Sequence, residues 1–334
     1  MFSQDTLQEA LDKAVGPAGL STNHIQAAVW VQGKLVFEGV GNRPGIRPTV
    51  TTKNLFRLAS VSKPVTALGA LTLVGQGKLN LDAPLGTYLP ELPEPLKPLT
   101  CRHLLTHTSG LRHYENKGAS DFATGQVREA REALRVFVND PLFAQPGQKY
   151  HYSTHAFTLL GAVMEAITQR PFFETQQELF LKRGLRDLGF ENLPRRPEES
   201  RAGRRAPLYN SKGVLETKRQ NLSWKWPGGG MESTATDLVT LFGRVLEGKV
   251  LSPKPWEQMQ QRQPPPKEPV PNDPVMGLGI FLQNGALTHS GGQQGTSSFL
   301  RIVPATRTVT AVLCNTEGRN VSALCRQLEQ LSRP

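Results

Sequence analysis

Ser60-Val-Ser-Lys63 sets a hydroxyl and an amine three residues apart. A serine hydroxyl is a poor nucleophile until a base takes its proton. On a helix, residues i and i+3 share a face, so Lys63 in its free-amine form is placed to serve Ser60. Two further groups offer matching chemistry. Tyr150-His-Tyr152-Ser-Thr154 follows Gln-Pro-Gly-Gln and opens a long apolar run. A tyrosine beside a lysine ammonium can have its phenolate stabilised and act as a base. His289-Ser290-Gly291-Gly292 follows an expected strand, and its glycines allow substrate backbone to lie close against a strand edge. Each group also has a plainer reading: Ser60 and Lys63 as helix surface, Tyr152 as packing, His289 as an exposed turn residue, the glycines as hairpin shaping. Their joint occurrence, in this order and context, favours chemistry.

The elements that must position these groups follow from periodicity. Leu7, Leu11, Ala14 and Val15 mark a first helix; Ile25, Ala27, Val29 and Val31 alternate as a half-buried strand does, and Leu35–Val40 returns after Gly33-Lys34 as the second arm of a hairpin. From Ser60 the pattern turns helical until Gly75 and Gly77 stop it. Residues 101–190 read as mostly helical, with interruptions at 106–110 and 145–147. Ser233 and Thr234 ahead of Asp237 cap another helix. Strands are expected at 277–283, 285–288, 297–303 and 308–314, and a last helix from about 321 to 331. Strands at both ends and helices between imply an α+β fold: an antiparallel sheet flanked by the terminal helices, plus a mainly helical second lobe, with a cleft between. The expected organisation is a single domain, 1–334, with an α/β lobe of about 1–60 and 228–334 and a helical lobe of about 61–227.

These segments together resemble the serine β-lactamase-related family, which includes class C β-lactamases, DD-peptidases, some esterases and the LACTB-like proteins. The likeness runs from about residue 22 to 315. It is carried by Phe56-Arg-Leu-Ala-Ser-Val-Ser-Lys-Pro-Val-Thr-Ala67, Leu104-Leu-Thr-His-Thr-Ser-Gly-Leu111, Pro146-Gly-Gln-Lys-Tyr-His-Tyr-Ser153, Gly228-Gly-Gly-Met-Glu-Ser-Thr-Ala-Thr-Asp237 and His289-Ser-Gly-Gly-Gln-Gln-Gly295. The resemblance implies a β-lactamase/transpeptidase-like fold. It implies Ser60 as the acylated nucleophile, Lys63 and Tyr152 sharing the acid–base work, and the backbone N–H groups of Ser60 and Gly292 as an oxyanion hole. His289-Ser290-Gly291 stands where many relatives carry Lys-Thr-Gly, Thr154 stands where the second motif has an asparagine, and His107 sits in a signature of structural character. A histidine has a reference pKa near 6.5, so the strand motif lacks a fixed cation for a substrate carboxylate. The implied protein is a serine hydrolase acting on a small ester, amide or peptide, with β-lactamase activity weak or absent. A non-turnover acylated binding or sensor protein, and a DD-peptidase or true β-lactamase, are the alternatives.

Composition narrows the rest. The 334 residues, 38% hydrophobic, suffice for a substantial core. The net charge of +11 is scattered. Its one dense patch, Arg195 to Arg205, carries acids and lacks interleaved aromatics, so it reads as a solvated loop and no nucleic-acid partner is expected. Cys101, Cys314 and Cys325 are far apart and odd in number, which fits reduced thiols. The pairs His103/His107 and His151/His155 stand at i, i+4 but lack the His-Glu-x-x-His pattern; neither metal nor cofactor is expected. The N-terminus has no basic or apolar export region, and the most apolar stretch, 157–167, is too short to span a bilayer. A cytoplasmic protein without a membrane span is the expectation.

Overall fold

The computed structural model describes residues 3–16, 18–114, 125–191, 193 and 201–333. Helix α1 (Gln4–Ala14) leads into strands β1 (His24–Val31) and β2 (Lys34–Asn42). The short strand β3 (Phe56–Arg57) precedes a 3-10 turn, Ala59–Val61, and helix α2 (Ser62–Gly75). Helices α3 (Cys101–Leu105), α4 (Ala130–Ala133), α5 (Thr154–Thr168) and α6 (Phe172–Leu181) come next. After β4 (Gly189–Phe190), α7 (Trp226–Gly229) and β5 (Met231–Ser233), the chain forms α8 (Ala235–Leu246) and α9 (Pro253–Gln260). It closes with β6 (Phe281–Gln283), β7 (Ala286–Gln293), β8 (Thr296–Val303), β9 (Thr308–Cys314) and α10 (Ser322–Leu331).

The main sheet is antiparallel, in the order β2-β1-β9-β8-β7-β6. Its centre joins the two ends of the chain, Ile25 opposite Cys314 and Val31 opposite Thr308. Leu7 and Leu11 of α1 and Leu324 and Leu328 of α10 bury one face, over Ile25, Ala27 and Val29. Leu238, Leu241 and Phe242 of α8 share a core with Ala28, Val309 and Ala311 on the other. That core continues through Leu68, Leu104, Leu105, Leu159 and Leu160 of the helices, all fully buried. Each such side chain contributes about 1.5–3 kcal/mol by leaving water. The α+β arrangement expected from the sequence is therefore present.

Four details depart from that reading. β1 is buried on both faces, because α8 covers the side that alternation assigned to water. Gln26, on that side, is satisfied: its amide donates to the Thr51 and Asn54 carbonyls and accepts the Ala235 N–H. β7 runs on to Gln293, so His289–Gly292 lie within the strand and not after it. Among the described residues of 101–190, α-helix is confined to four segments, and most of 125–153 is irregular. A second sheet, β3-β5-β4, was not foreseen, since strands of two or three residues show no period.

The basic patch divides. Residues 194–200, with Arg195 and Arg196, lie outside the described residues. Arg201 and Arg205 are not solvated loop residues: their Nε atoms bind the buried Glu232 carboxylate of β5 at 2.7 and 2.6 Å. A polar group taken out of water needs partners, and these two guanidinium groups supply them. Among the described residues, no helix is long and apolar enough to cross a membrane.

Candidate active site

Ser60 sits in the 3-10 turn ahead of α2, after Ala59, whose φ of 47° is left-handed. Such backbone costs a non-glycine residue about 1–3 kcal/mol and persists only where its surroundings impose it. Here β7 and β8 do so. Ser298 Oγ donates to the Leu58 carbonyl at 2.7 Å, and a Cβ at Gly291 would lie 2.5 Å from that same oxygen. Only glycine lets β7 cross so close to the serine turn. At Gly292 a Cβ would meet nothing within 4 Å, so this residue borders open space. β6 pairs with β7 only from Ala286 to Thr288, whereas β8 pairs with it as far as Gln293. From His289 onward, β7 has a strand partner on one side alone among the described residues.

Lys63, the second residue of α2, is fully buried. Its Nζ lies 3.2 Å from Ser60 Oγ, 3.0 Å from Thr154 Oγ1 and 2.6 Å from the Gly228 carbonyl. It also lies 4.8 Å from the centre of the Tyr152 ring. Burial, reinforced by the Lys225 ammonium, holds Lys63 well below the ordinary lysine value. A free amine has two N–H donors and one lone pair. The Gly228 carbonyl must accept one N–H and the Thr154 hydroxyl can accept the other, which leaves the lone pair for Ser60. Thr154, which stands where the family resemblance places an asparagine, thus offers Lys63 a hydroxyl.

Tyr152 is half-buried, and desolvation pushes its phenol up while the neighbouring Ser60 hydroxyl pulls it down. Lys63 and Tyr152 are therefore both driven toward neutral forms, and the ammonium–phenolate pair suggested by their residue types is disfavoured. The Tyr152 ring lies between two imidazoles, His107 at 4.3 Å and His113 at 5.3 Å between ring centres. His107 accepts the Ser153 N–H on Nδ1 at 3.1 Å, and its carbonyl accepts the His151 N–H at 2.8 Å. His103 Nδ1 is likewise occupied, by the Thr100 N–H.

His289 is not an exposed turn residue; it is buried on β7. Its Nδ1 lies 2.7 Å from the Ser290 carbonyl, an acceptor, so Nδ1 carries the proton. Burial first, and then Lys63, lower it to about 3. It is neutral at physiological pH and supplies no cation.

The structure thus brings Ser60, Lys63, Tyr152 and Thr154 together, with Gly291 of β7 packed on the serine turn. It adds residues that sequence reasoning passed over. Lys225 is buried, 4.3 Å from the centre of the Tyr114 ring, and is lowered to about 7 by burial and then by Arg57. Its signal was available: a lysine between two tryptophans, Trp224-Lys225-Trp226, just before Pro-Gly-Gly-Gly. His113, which accepts the Thr154 N–H at 3.1 Å, had no spacing to betray it. Arg57, quoted within a motif but given no part, binds Glu191 through two nitrogens at 2.6 and 2.9 Å and reaches the Gln294 carbonyl at 3.2 Å. It ties the strand before Ser60 to the β7–β8 turn. No group of three or more His, Cys, Asp or Glu suited to a metal occurs among the described residues.

The family model described as Beta-lactamase matches residues 11–330. The serine beta-lactamase-like protein LACTB, mitochondrial, of Homo sapiens is 28% identical over 319 residues, which cover 74% of this chain and 56% of that protein. Esterase EstB of Burkholderia gladioli is 40% identical over 168 residues, 46% of this chain and 42% of its own. The chain spans a little over half the length of the LACTB relatives it matches. Among solved structures, a D-amino acid amidase from Ochrobactrum anthropi SV3 matches with a TM-score of 0.81 at 21% identity, over 98% of this chain and 96% of that one. At that identity the likeness is one of fold.

Proposed function

The chain belongs to the beta-lactamase family, and from that premise we propose that it is a serine hydrolase working through an acyl-enzyme on a small ester, amide or peptide, with β-lactam hydrolysis weak or absent. The observation that carries this reading is the buried Lys63 amine 3.2 Å from the Ser60 hydroxyl, in surroundings that push it toward its neutral form. Ser60 Oγ attacks the substrate carbonyl carbon and its proton passes to Lys63 Nζ. The backbone N–H groups of Ser60 and Gly292 take the oxyanion. As the intermediate collapses, the bond to the leaving group breaks and that group takes a proton from Tyr152, which Lys63 replaces. Water then attacks the acyl carbon, giving up a proton to the same pair; the bond to Oγ breaks, and Ser60 is reprotonated. Thr154 holds the Lys63 amine, and the open side of β7 from His289 to Gln293 receives extended substrate backbone.

The substrate class rests on charge. A charge-assisted hydrogen bond is worth about 1.5–3 kcal/mol, roughly a 10- to 100-fold preference. With His289 neutral, a carboxylate beside the scissile bond gains nothing from the strand motif, whereas a neutral short-chain ester loses nothing. The three cysteines, buried and unbridged, support a reducing compartment such as the cytoplasm.

The test is kcat/KM for p-nitrophenyl butyrate against nitrocefin on one preparation, with Ser60→Ala as control. The ester is expected to win and Ser60→Ala to abolish turnover. A higher value for nitrocefin would return the protein to the β-lactamases, and full activity in Ser60→Ala would remove the serine from its role.

A further inference from the structure

We propose that His113 is a positioning residue for this hydrolysis: by accepting the Thr154 N–H on Nδ1, it fixes the hydroxyl that holds the Lys63 amine at Ser60. The first N–H groups of a helix have no partner within it, and α5 begins at Thr154, beside the reacting groups. Three acceptors from outside the helix backbone take up this end. The capping hydroxyl of Ser153 accepts the Ala156 N–H, His107 Nδ1 accepts the Ser153 N–H, and His113 Nδ1 accepts the Thr154 N–H. An imidazole that accepts on Nδ1 must be neutral with its proton on Nε2, and burial, with Lys63 as a smaller cause, lowers His113 to about 3. Its ring plane is fixed by Tyr114 at 4.2 Å and by the edge-on Tyr152 at 5.3 Å.

What this bond controls lies one side chain away. Thr154 Oγ1 is 3.0 Å from Lys63 Nζ. If the Thr154 peptide turned to find another acceptor, its hydroxyl would turn too, and the lone pair of Lys63 would leave the line to Ser60. Among the described residues His113 forms no hydrogen bond to Ser60 or Lys63, and it acts on the chemistry through Thr154, so kcat is expected to change more than KM.

The inference rests on the reading of Ser60, Lys63 and Tyr152 given above, and the two fail differently. In the full chain, kcat and KM for p-nitrophenyl butyrate and the rate of fluorophosphonate labelling are compared for wild type, Ser60→Ala, His113→Leu, His113→Asn and His113→Gln. An asparagine oxygen sits close to where Nδ1 does, whereas a glutamine oxygen reaches toward the Nε2 position. His113→Leu is expected to lower kcat and the labelling rate about tenfold or more, with KM changed less than about threefold. His113→Asn is expected to recover most of that loss, and His113→Gln little of it. A merely structural role would lower the melting temperature of all three variants without separating Asn from Gln in kcat. If the leucine variant does not fold, the Asn–Gln contrast decides. Equal kcat for those two, or a leucine variant within about twofold of wild type, overturns the role of His113 alone. Labelling that persists in Ser60→Ala overturns both readings.

Discussion

Two clusters of buried charge-bearing side chains, around Arg57 and around Lys63, lie six residues apart along the chain, and they solve burial in opposite ways. Around Arg57, opposite charges are brought in. Glu191 receives Arg57 through two nitrogens and Arg219 through a third, at 2.7 Å. Although burial alone would raise its carboxyl, these cations hold it at about 2. Around Lys63 no carboxylate forms an ion pair among the described residues; its neighbours are hydroxyls, a carbonyl and aromatic rings. Burial that is met by a counter-charge makes a fixed strut. Burial that is met only by dipoles removes the charge and leaves a base.

The sharpest way to break this contrast is to take the counter-charge from the strut. Glu191→Leu leaves two guanidinium groups without their carboxylate and is expected to cost about 3–5 kcal/mol of stability, measured by urea unfolding. Adding Arg57→Met should return much of it. The sign with pH follows from the depressed Glu191 value. Its contribution is complete above the unfolded value of 4.5 and is lost as pH falls toward about 2, so acid unfolding of the variant should lack that component. A Glu191→Leu protein as stable as wild type would mean the strut is ornamental.

The opposite substitution comes next. Lys63→Met keeps the volume and removes the amine. It should lower kcat about 100-fold or more while leaving stability unchanged or higher. Burial depresses the Lys63 value below its unfolded one, so the native lysine costs folding energy wherever the unfolded chain carries that proton, and the cost fades as pH rises toward 10.5. A Lys63→Met protein that keeps its turnover would end the assignment of the base.

The smallest effect tunes the contrast. Lys225 carries charge below about pH 7 and helps to keep Lys63 uncharged. Lys225→Met should raise the Lys63 value, so the acidic limb of the kcat/KM profile should move to higher pH. A limb that stays put, or moves down, would show that Lys225 does not act on Lys63.

The same contrast explains what could be read from the sequence. As a candidate site, Ser60, Lys63, Tyr152 and His289 to Gly292 could be picked out from residue type and short spacing, and Thr154 through the family resemblance. The family and its α+β fold followed from those motifs and from long periodic runs such as α5 and α8. Lys225 left only a local hint, its place between two tryptophans, and His113 left none, because their surroundings come from distant segments: Tyr114 over Lys225, and the start of α5 against His113. Arg201 and Arg205 looked solvated for the same reason, since Glu232 lies far along the chain. The extension of β7 was missed because Ser-Gly-Gly has little strand preference; only the pairing with β8 and the approach to Leu58 hold it extended.

The central pairing of β1 with β9 has a consequence for how the molecule comes into being. Most strand neighbours here are hairpin partners that can meet early, but β1 and β9 close nearly the whole chain into one loop. Loop closure of that length is entropically unfavourable before any contact rewards it, and contacts so distant in sequence slow folding. Until β9 arrives, β1 and β8 each present a bare apolar edge to other chains, and β8 is the strand that braces the serine turn through Ser298. A nascent chain therefore has no working cleft, and its most aggregation-prone interval falls just before its last strand is in place.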